Sequence, residues 1–105
     1  MSNAETVELF KCRIRLIGVL ASAAGQREIS LEAPSGSTLS DMISALILKI
    51  DNRQFRELLI DSGTNNPLPN VILLINDQDC NLFQGLRTQL TSKALVTIIP
   101  VAHGG

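Results

Sequence analysis

The residues with the greatest chemical consequence are the last three, His103, Gly104 and Gly105. Two glycines directly behind an apolar, strand-like run add backbone freedom and bury no side chain, so they contribute little to a fold. They suit a reaction instead. A carboxylate carried on bare backbone can thread into another protein's narrow active site. The expected reacting group is the Gly105 carboxylate, with Gly104, His103 and Ala102 recognised as the tail that delivers it. Extended, Val101–Gly105 reaches about 15 Å, enough to leave a globular body and enter a partner's site. His103 is the single histidine. Exposed, it would titrate near about 6.5. Nothing in the sequence orients it, however, and general-base work needs a positioned group. Backbone and shape recognition of the tail is therefore expected over proton transfer.

The remaining candidates for site chemistry are few. Cys12 and Cys80 are the two cysteines. With one histidine they cannot complete the four Cys or His ligands of a structural zinc site within the chain. Cys12 alternates with Lys11 and Arg13 and shares the parity of Ile14 and Leu16, which reads as a small buried hydrophobe. Cys80 sits near a turn and is expected to be open to solvent. A bridge between the two would be unusual in a reducing compartment. Asp77 and Asp79 lack the fuller oxygen set that calcium requires, so turn chemistry and solvation are the expectation.

These residues need a body to hold them. The chain has 105 residues, 45% hydrophobic and 3% aromatic, so the expectation is one domain with an aliphatic core. A net charge of −1 argues against direct nucleic-acid binding, which depends on clustered Lys and Arg. Apolar runs such as Val71–Ile75 and Leu95–Ile99 are too short to span a bilayer. Met1–Leu9 lacks the basic start and apolar stretch of a signal peptide. No membrane partner is expected, and the expected location is the cytoplasm. Residues 1–6 are expected to be disordered, residues 7–101 to form the domain, and residues 102–105 to be a flexible tail.

Along the chain, Val7–Leu20 reads as a strand with Cys12, Ile14 and Leu16 on its buried face. Ala21–Gly25 reads as a hairpin loop and Gln26–Glu32 as a second strand, broken by Pro34-Ser35-Gly36. Thr38-x-x-Asp41 resembles a capping box. Behind it, Leu39, Met42, Ile43, Leu46, Ile47 and Ile50 form one apolar helical stripe. Arg53–Asp61 reads as a second short helical segment, anchored by Phe55, Leu58 and Leu59, and Ser62–Pro69 as a loop. Val71–Ile75 is a strand followed by an Asn76-Asp77 turn. Leu82–Leu90 is irregular, with Phe83, Leu86 and Leu90 packed under the fold. Leu95–Val101 is the last strand, and Pro100 marks where its pairing stops. The two most apolar strands, first and last, are expected to be parallel central neighbours. A helix on one face of a mixed sheet of four or five strands is the natural packing, an α+β fold. If Val96 and Ile98 face the helix, Ile99 and Val101 face the other way and form a partner-docking patch beside the tail.

This order, closed by Gly-Gly, resembles the ubiquitin-like β-grasp fold. It is similar in particular to the small sulfur carriers: the ubiquitin-related modifier family, the small subunit of molybdopterin synthase and the thiamin-pathway sulfur carrier. Thr38-Leu39-Ser40-Asp41-Met42-Ile43 matches the helix start. Val71-Ile72-Leu73-Leu74-Ile75-Asn76-Asp77 matches the strand and turn, and Gly85-Leu86 with Leu90 matches a G-L-x-x-x-L segment. Val96-Thr97-Ile98-Ile99-Pro100 and His103-Gly104-Gly105 match the closing strand and tail. Ile75-Asn76-Asp77-Gln78-Asp79 and the final His103-Gly104-Gly105 lean toward the ubiquitin-related modifier, and Ile98-Ile99-Pro100-Val101 toward the molybdopterin synthase subunit. Where the families often carry an acidic residue before the last strand, this chain has Lys93-Ala94, which implies a changed turn.

The resemblance implies a carrier, not a catalyst. An adenylating enzyme of the ubiquitin-activating type would consume ATP to activate the Gly105 carboxylate. A persulfide donor or sulfurtransferase would convert it to a thiocarboxylate. A downstream acceptor enzyme would take the sulfur for tRNA thiolation, or lysines of other proteins would take the acyl group. No cofactor would be held permanently. The rival readings are the molybdopterin synthase subunit, serving molybdenum cofactor biosynthesis, and a β-grasp adaptor without acyl chemistry, since a fold alone does not fix function.

Overall fold

The computed structural model describes residues 8–101. The expectations for residues 1–6 and for Ala102–Gly105 lie outside the described residues. Strand β1 runs Leu9–Leu16 and α1 Val19–Ala24. Next come β2 (Glu28–Pro34), α2 (Leu39–Ile50) and α3 (Arg53–Leu59). Strands β3 (Val71–Ile75), β4 (Gln78–Asp79) and β5 (Leu95–Pro100) complete the order, with two short 3-10 turns at Cys80–Leu82 and Gly85–Arg87. The five strands form one mixed sheet in the order β2-β1-β5-β3-β4. As expected, β1 and β5 are adjacent and parallel, with Ile14 beside Val96 and Leu16 beside Ile98.

The core lies between the sheet and α2. Cys12, Ile14 and Leu16 of β1, Ile29, Leu31 and Ala33 of β2, and Val96 and Ile98 of β5 are all buried on that side. Lys11, Arg13 and Arg15 alternate onto the open face, as period-two geometry requires. On α2, Leu39, Met42, Ile43 and Leu46 are buried, whereas Ile47 and Ile50 are half-buried flanks, so the stripe is narrower than the sequence pattern. Each fully buried side chain of this size contributes roughly 1.5–3 kcal/mol of transfer free energy before entropy is subtracted. Phe55 and Leu59 of α3 close one end of the core, with Leu58 half-buried beside them.

The helix start behaves as its sequence suggests. Thr38 Oγ1 accepts from the Asp41 amide at 3.2 Å, and Asp41 Oδ2 accepts from the Thr38 amide at 2.9 Å. Two donors that the first turn leaves without partners are thereby satisfied. Thr38→Ala should cost about 1 kcal/mol. In a domain of this size that lowers the melting temperature by about 4–8 °C, measurable by thermal circular dichroism.

Several local expectations are corrected. The first strand stops at Leu16, and the segment read as a hairpin loop is the short helix Val19–Ala24. Its alanines favour helix, and the helix carries the fully buried Leu20. The second strand continues to Pro34 because β2 is an edge strand, where a missing N–H costs no ladder bond. Phe83 is 46% exposed instead of packing under the fold; of the other two residues expected there, Leu90 is buried and Leu86 half-buried. Cys80 is buried, not open.

Candidate functional site: the root of the tail

Three backbone constraints fix the direction in which the chain leaves the sheet. The Ile17 amide donates to Ile98 O at 3.2 Å, the last bond on the β1 side. The Val101 amide donates to Asn70 O at 2.9 Å on the β3 side. Between them, Pro100 pairs with Val71. Antiparallel alternation turns the amides of Leu95, Thr97, Ile99 and Val101 toward β3. The missing N–H of Pro100 therefore faces β1, which has already ended. Pro100 stops pairing on one side only, which corrects the expectation that it stops pairing outright.

Gly18 completes the root. Its φ is +60°, and a Cβ there would sit 3.6 Å from Pro100 Cγ. The β1–α1 turn can thus lie beside the ring with a backbone conformation that side chains disfavour. At the far end of β5, Asn76 ties the β3–β4 turn to the same strand. Its amide donates to Leu95 O at 2.9 Å, and its Oδ1 accepts from the Leu95 amide at 2.8 Å. Asn76 and Asp77 both have positive φ, 50° and 68°. This is the tight hairpin their types favour, and asparagine also serves as a clamp. Ahead of β5, Thr91 O accepts from Ala94 N at 3.0 Å, and Ala94 is buried, so Lys93-Ala94 forms a turn of its own.

The open sheet face beside this root is apolar. Ile99 and Val101 lie on it, with Ile99 half-buried and Val101 38% exposed. Ile72 pairs directly with Ile99 and is 43% exposed. Ile17 is exposed on the other side of β5, one residue past the Leu16–Ile98 pair. Thr97 lies between Arg15 and Leu74 in register, with its hydroxyl buried and unpartnered among the described residues. Ile72 and Ile17 were missed in the sequence. Alternation within Val71–Ile75 was enough to turn Ile72 outward. Ile17 becomes visible only through the parallel β1–β5 register.

The thiols take no part in this surface. Burial pushes the Cys12 thiol above its ordinary range, a shift that neighbouring Arg13 offsets only in part. Burial also raises Cys80, and the adjacent Asp79 carboxylate adds to the shift. Both remain thiols at neutral pH and make poor nucleophiles. Asp79 accepts from the Asn81 amide at 2.8 Å, the turn chemistry expected of it. Among the described residues no group of three His, Cys, Asp or Glu gathers to hold a metal, and no helix is long and apolar enough to cross a membrane.

Residues 14–105 match the family model described as the ThiS family, which takes in the whole sheet after the start of β1 and runs through Gly105. The chain belongs to the ThiS family. ThiS-family proteins are ubiquitin-like sulfur carriers. No curated protein matches the chain. Among solved structures, the small archaeal modifier protein 1 of Methanosarcina acetivorans superposes with a TM-score of 0.77 at 22% identity, covering 93% of this chain and 99% of that one. Urm1 of Trypanosoma brucei gives 0.74 at 23% identity, with 100% of both chains covered. CysO of Mycobacterium tuberculosis gives 0.68 at 26% identity, covering 87% of this chain and 99% of that one. The fold is accordingly the ubiquitin-like β-grasp, with the expected long helix and short second helix and, in addition, the short helix Val19–Ala24.

Proposed function

We propose that this ThiS-family chain carries sulfur as a thiocarboxylate on Gly105, made in an adenylating enzyme and passed to a tRNA-thiolating acceptor. The observation that carries this reading is the family match extending through Gly105, behind a strand pinned up to Val101. A carboxylate is a poor acyl donor and needs a leaving group. A Gly105 carboxylate oxygen attacks the α-phosphorus of ATP, the bond to the β-phosphate breaks, and pyrophosphate departs. The terminal sulfur of a donor persulfide then attacks the acyl carbon, and AMP leaves with the C–O electron pair. A second donor thiol cleaves the S–S bond, leaving a thiocarboxylate on Gly105 and a disulfide on the donor.

The chain supplies positioning, not catalysis. Ile99 and Val101, joined by Ile72 and Ile17, dock on the adenylating enzyme. Ala102, His103 and Gly104 cross its channel as backbone. ATP is consumed by the partner and is not held by this protein, and the exchange takes place in the cytoplasm. The same activated carbonyl can be transferred to lysines of other proteins. The leaning of Ile75-Asn76-Asp77-Gln78-Asp79 toward the ubiquitin-related modifier supports tRNA as the destination of the sulfur. Intact-mass spectrometry of the protein from its native host should show a population in which one oxygen is replaced by sulfur, and incubation with the thiolating enzyme and tRNA should discharge it. A carboxylate-only mass in every growth condition would refute the reading.

A further inference from the structure

The sheet has two margins. One is β4, two residues long; the other is β2, seven residues long. Which β2 groups point outward follows from two bonds. The Leu16 amide donates to Arg27 O at 2.8 Å, and the Ser35 amide donates to Glu8 O at 2.8 Å. Antiparallel pairing alternates, so Arg27, Ile29, Leu31, Ala33 and Ser35 turn their backbone groups toward β1. The amides and carbonyls of Glu28, Ser30 and Glu32 face away from the sheet. Pro34 falls in the same phase and closes that end of the edge.

Two rows of side chains border these groups. On the helix side, Ala45, Leu48 and Lys49 of α2 stand over Leu31 across an open groove. Leu48 is 80% exposed, the most exposed large apolar side chain among the described residues. On the other side, Glu28 and Glu32 form an acidic row beside the basic row Lys11, Arg13 and Arg15 of β1, with Arg13 and Glu28 at 3.9 Å.

We propose that the β2 edge docks an extended segment of a partner protein in which aliphatic and basic residues alternate. Added as a further strand, it would satisfy the Glu28, Ser30 and Glu32 backbone groups. Its aliphatic side chains would cover Leu48 and Ala45. Its basic side chains would lie across from Glu28 and Glu32, continuing the alternation of basic and acidic rows, and opposite charges directly across a ladder are favourable. A second copy of this chain fits poorly. An antiparallel self-pair centred on Ser30 sets Glu28 against Glu32 twice, and like charges placed so are destabilising. Strand β1 separates this edge from β5. A segment bound here leaves Ile72, Ile99 and Val101 free, so a second protein can be held while the tail is engaged.

The probe is a capped seven-residue peptide of alternating valine and lysine, titrated into the isotope-labelled full chain, with a valine–glutamate peptide as control. Binding should slow deuterium exchange of the Ser30 and Glu32 amides about tenfold and leave Ile29 and Leu31 unchanged, because the latter are already paired. Leu48→Asp should weaken the peptide about tenfold without lowering the melting temperature. N-methylation of the peptide along its bonding side should abolish binding, a test that leaves the protein unaltered. Shifts centred on Ile72 and Val101, equal affinity for the glutamate peptide, no binding at millimolar concentration, or self-association of the chain through β2 would each overturn the proposal.

Discussion

Deleting Gly105 should abolish adenylation and thiocarboxylation while leaving the melting temperature unchanged. The core is complete without the tail: the buried residues run from Cys12 to Ile98. What the deletion removes is reach. The remaining carboxylate stops about 3.3 Å short of its place, since that is the extended rise of one residue. Reaction of a positioned nucleophile with a phosphate depends steeply on approach, and a misplacement of about 1 Å already costs on the order of a hundredfold. Gly104→Val should act in the same direction by putting a branched Cβ where the channel admits backbone only. The measurement is intact mass over time with the cognate adenylating enzyme, ATP and a sulfur source. A Gly105-deleted chain that gains sulfur as fast as the parent would transfer support to an adaptor role without acyl chemistry.

The second large effect is expected on the sheet face. Val101→Asp and Ile72→Asp should each weaken association with the adenylating enzyme by about tenfold or more, equivalent to about 1.4 kcal/mol. Docking would desolvate the new carboxylate with no partner. Folding should change little, because both side chains stand partly in water already and surface substitutions usually stay within about 0.5 kcal/mol. Binding by calorimetry and melting by circular dichroism separate the two quantities. A large fall in melting temperature with unchanged affinity would mean that this face packs within the chain and does not dock. Thr97 gives a useful contrast. It shares the same face but is buried, so Thr97→Asp should lose stability and affinity together.

Much of this protein was legible in its sequence. Period-two alternation at Cys12–Leu16 and the stripe from Leu39 to Leu46 fixed which faces are buried, because a backbone of given period can turn its apolar side chains only one way. Thr38 and Asp41 named the helix start through local hydrogen bonds that need no distant partner. Tertiary structure decided the rest. Val19–Ala24 is a helix that places Leu20 in the core, and Cys80 is buried in the turn that follows β4. Pro100 could end one ladder and not the other only once β1 and β3 lay on its two sides. The patch around Val101 and the free β2 edge are both products of strand order. The apolar patterns of the first and last strands indicated their central, parallel pairing, but the places of the outer strands are set by which distant segments pack together.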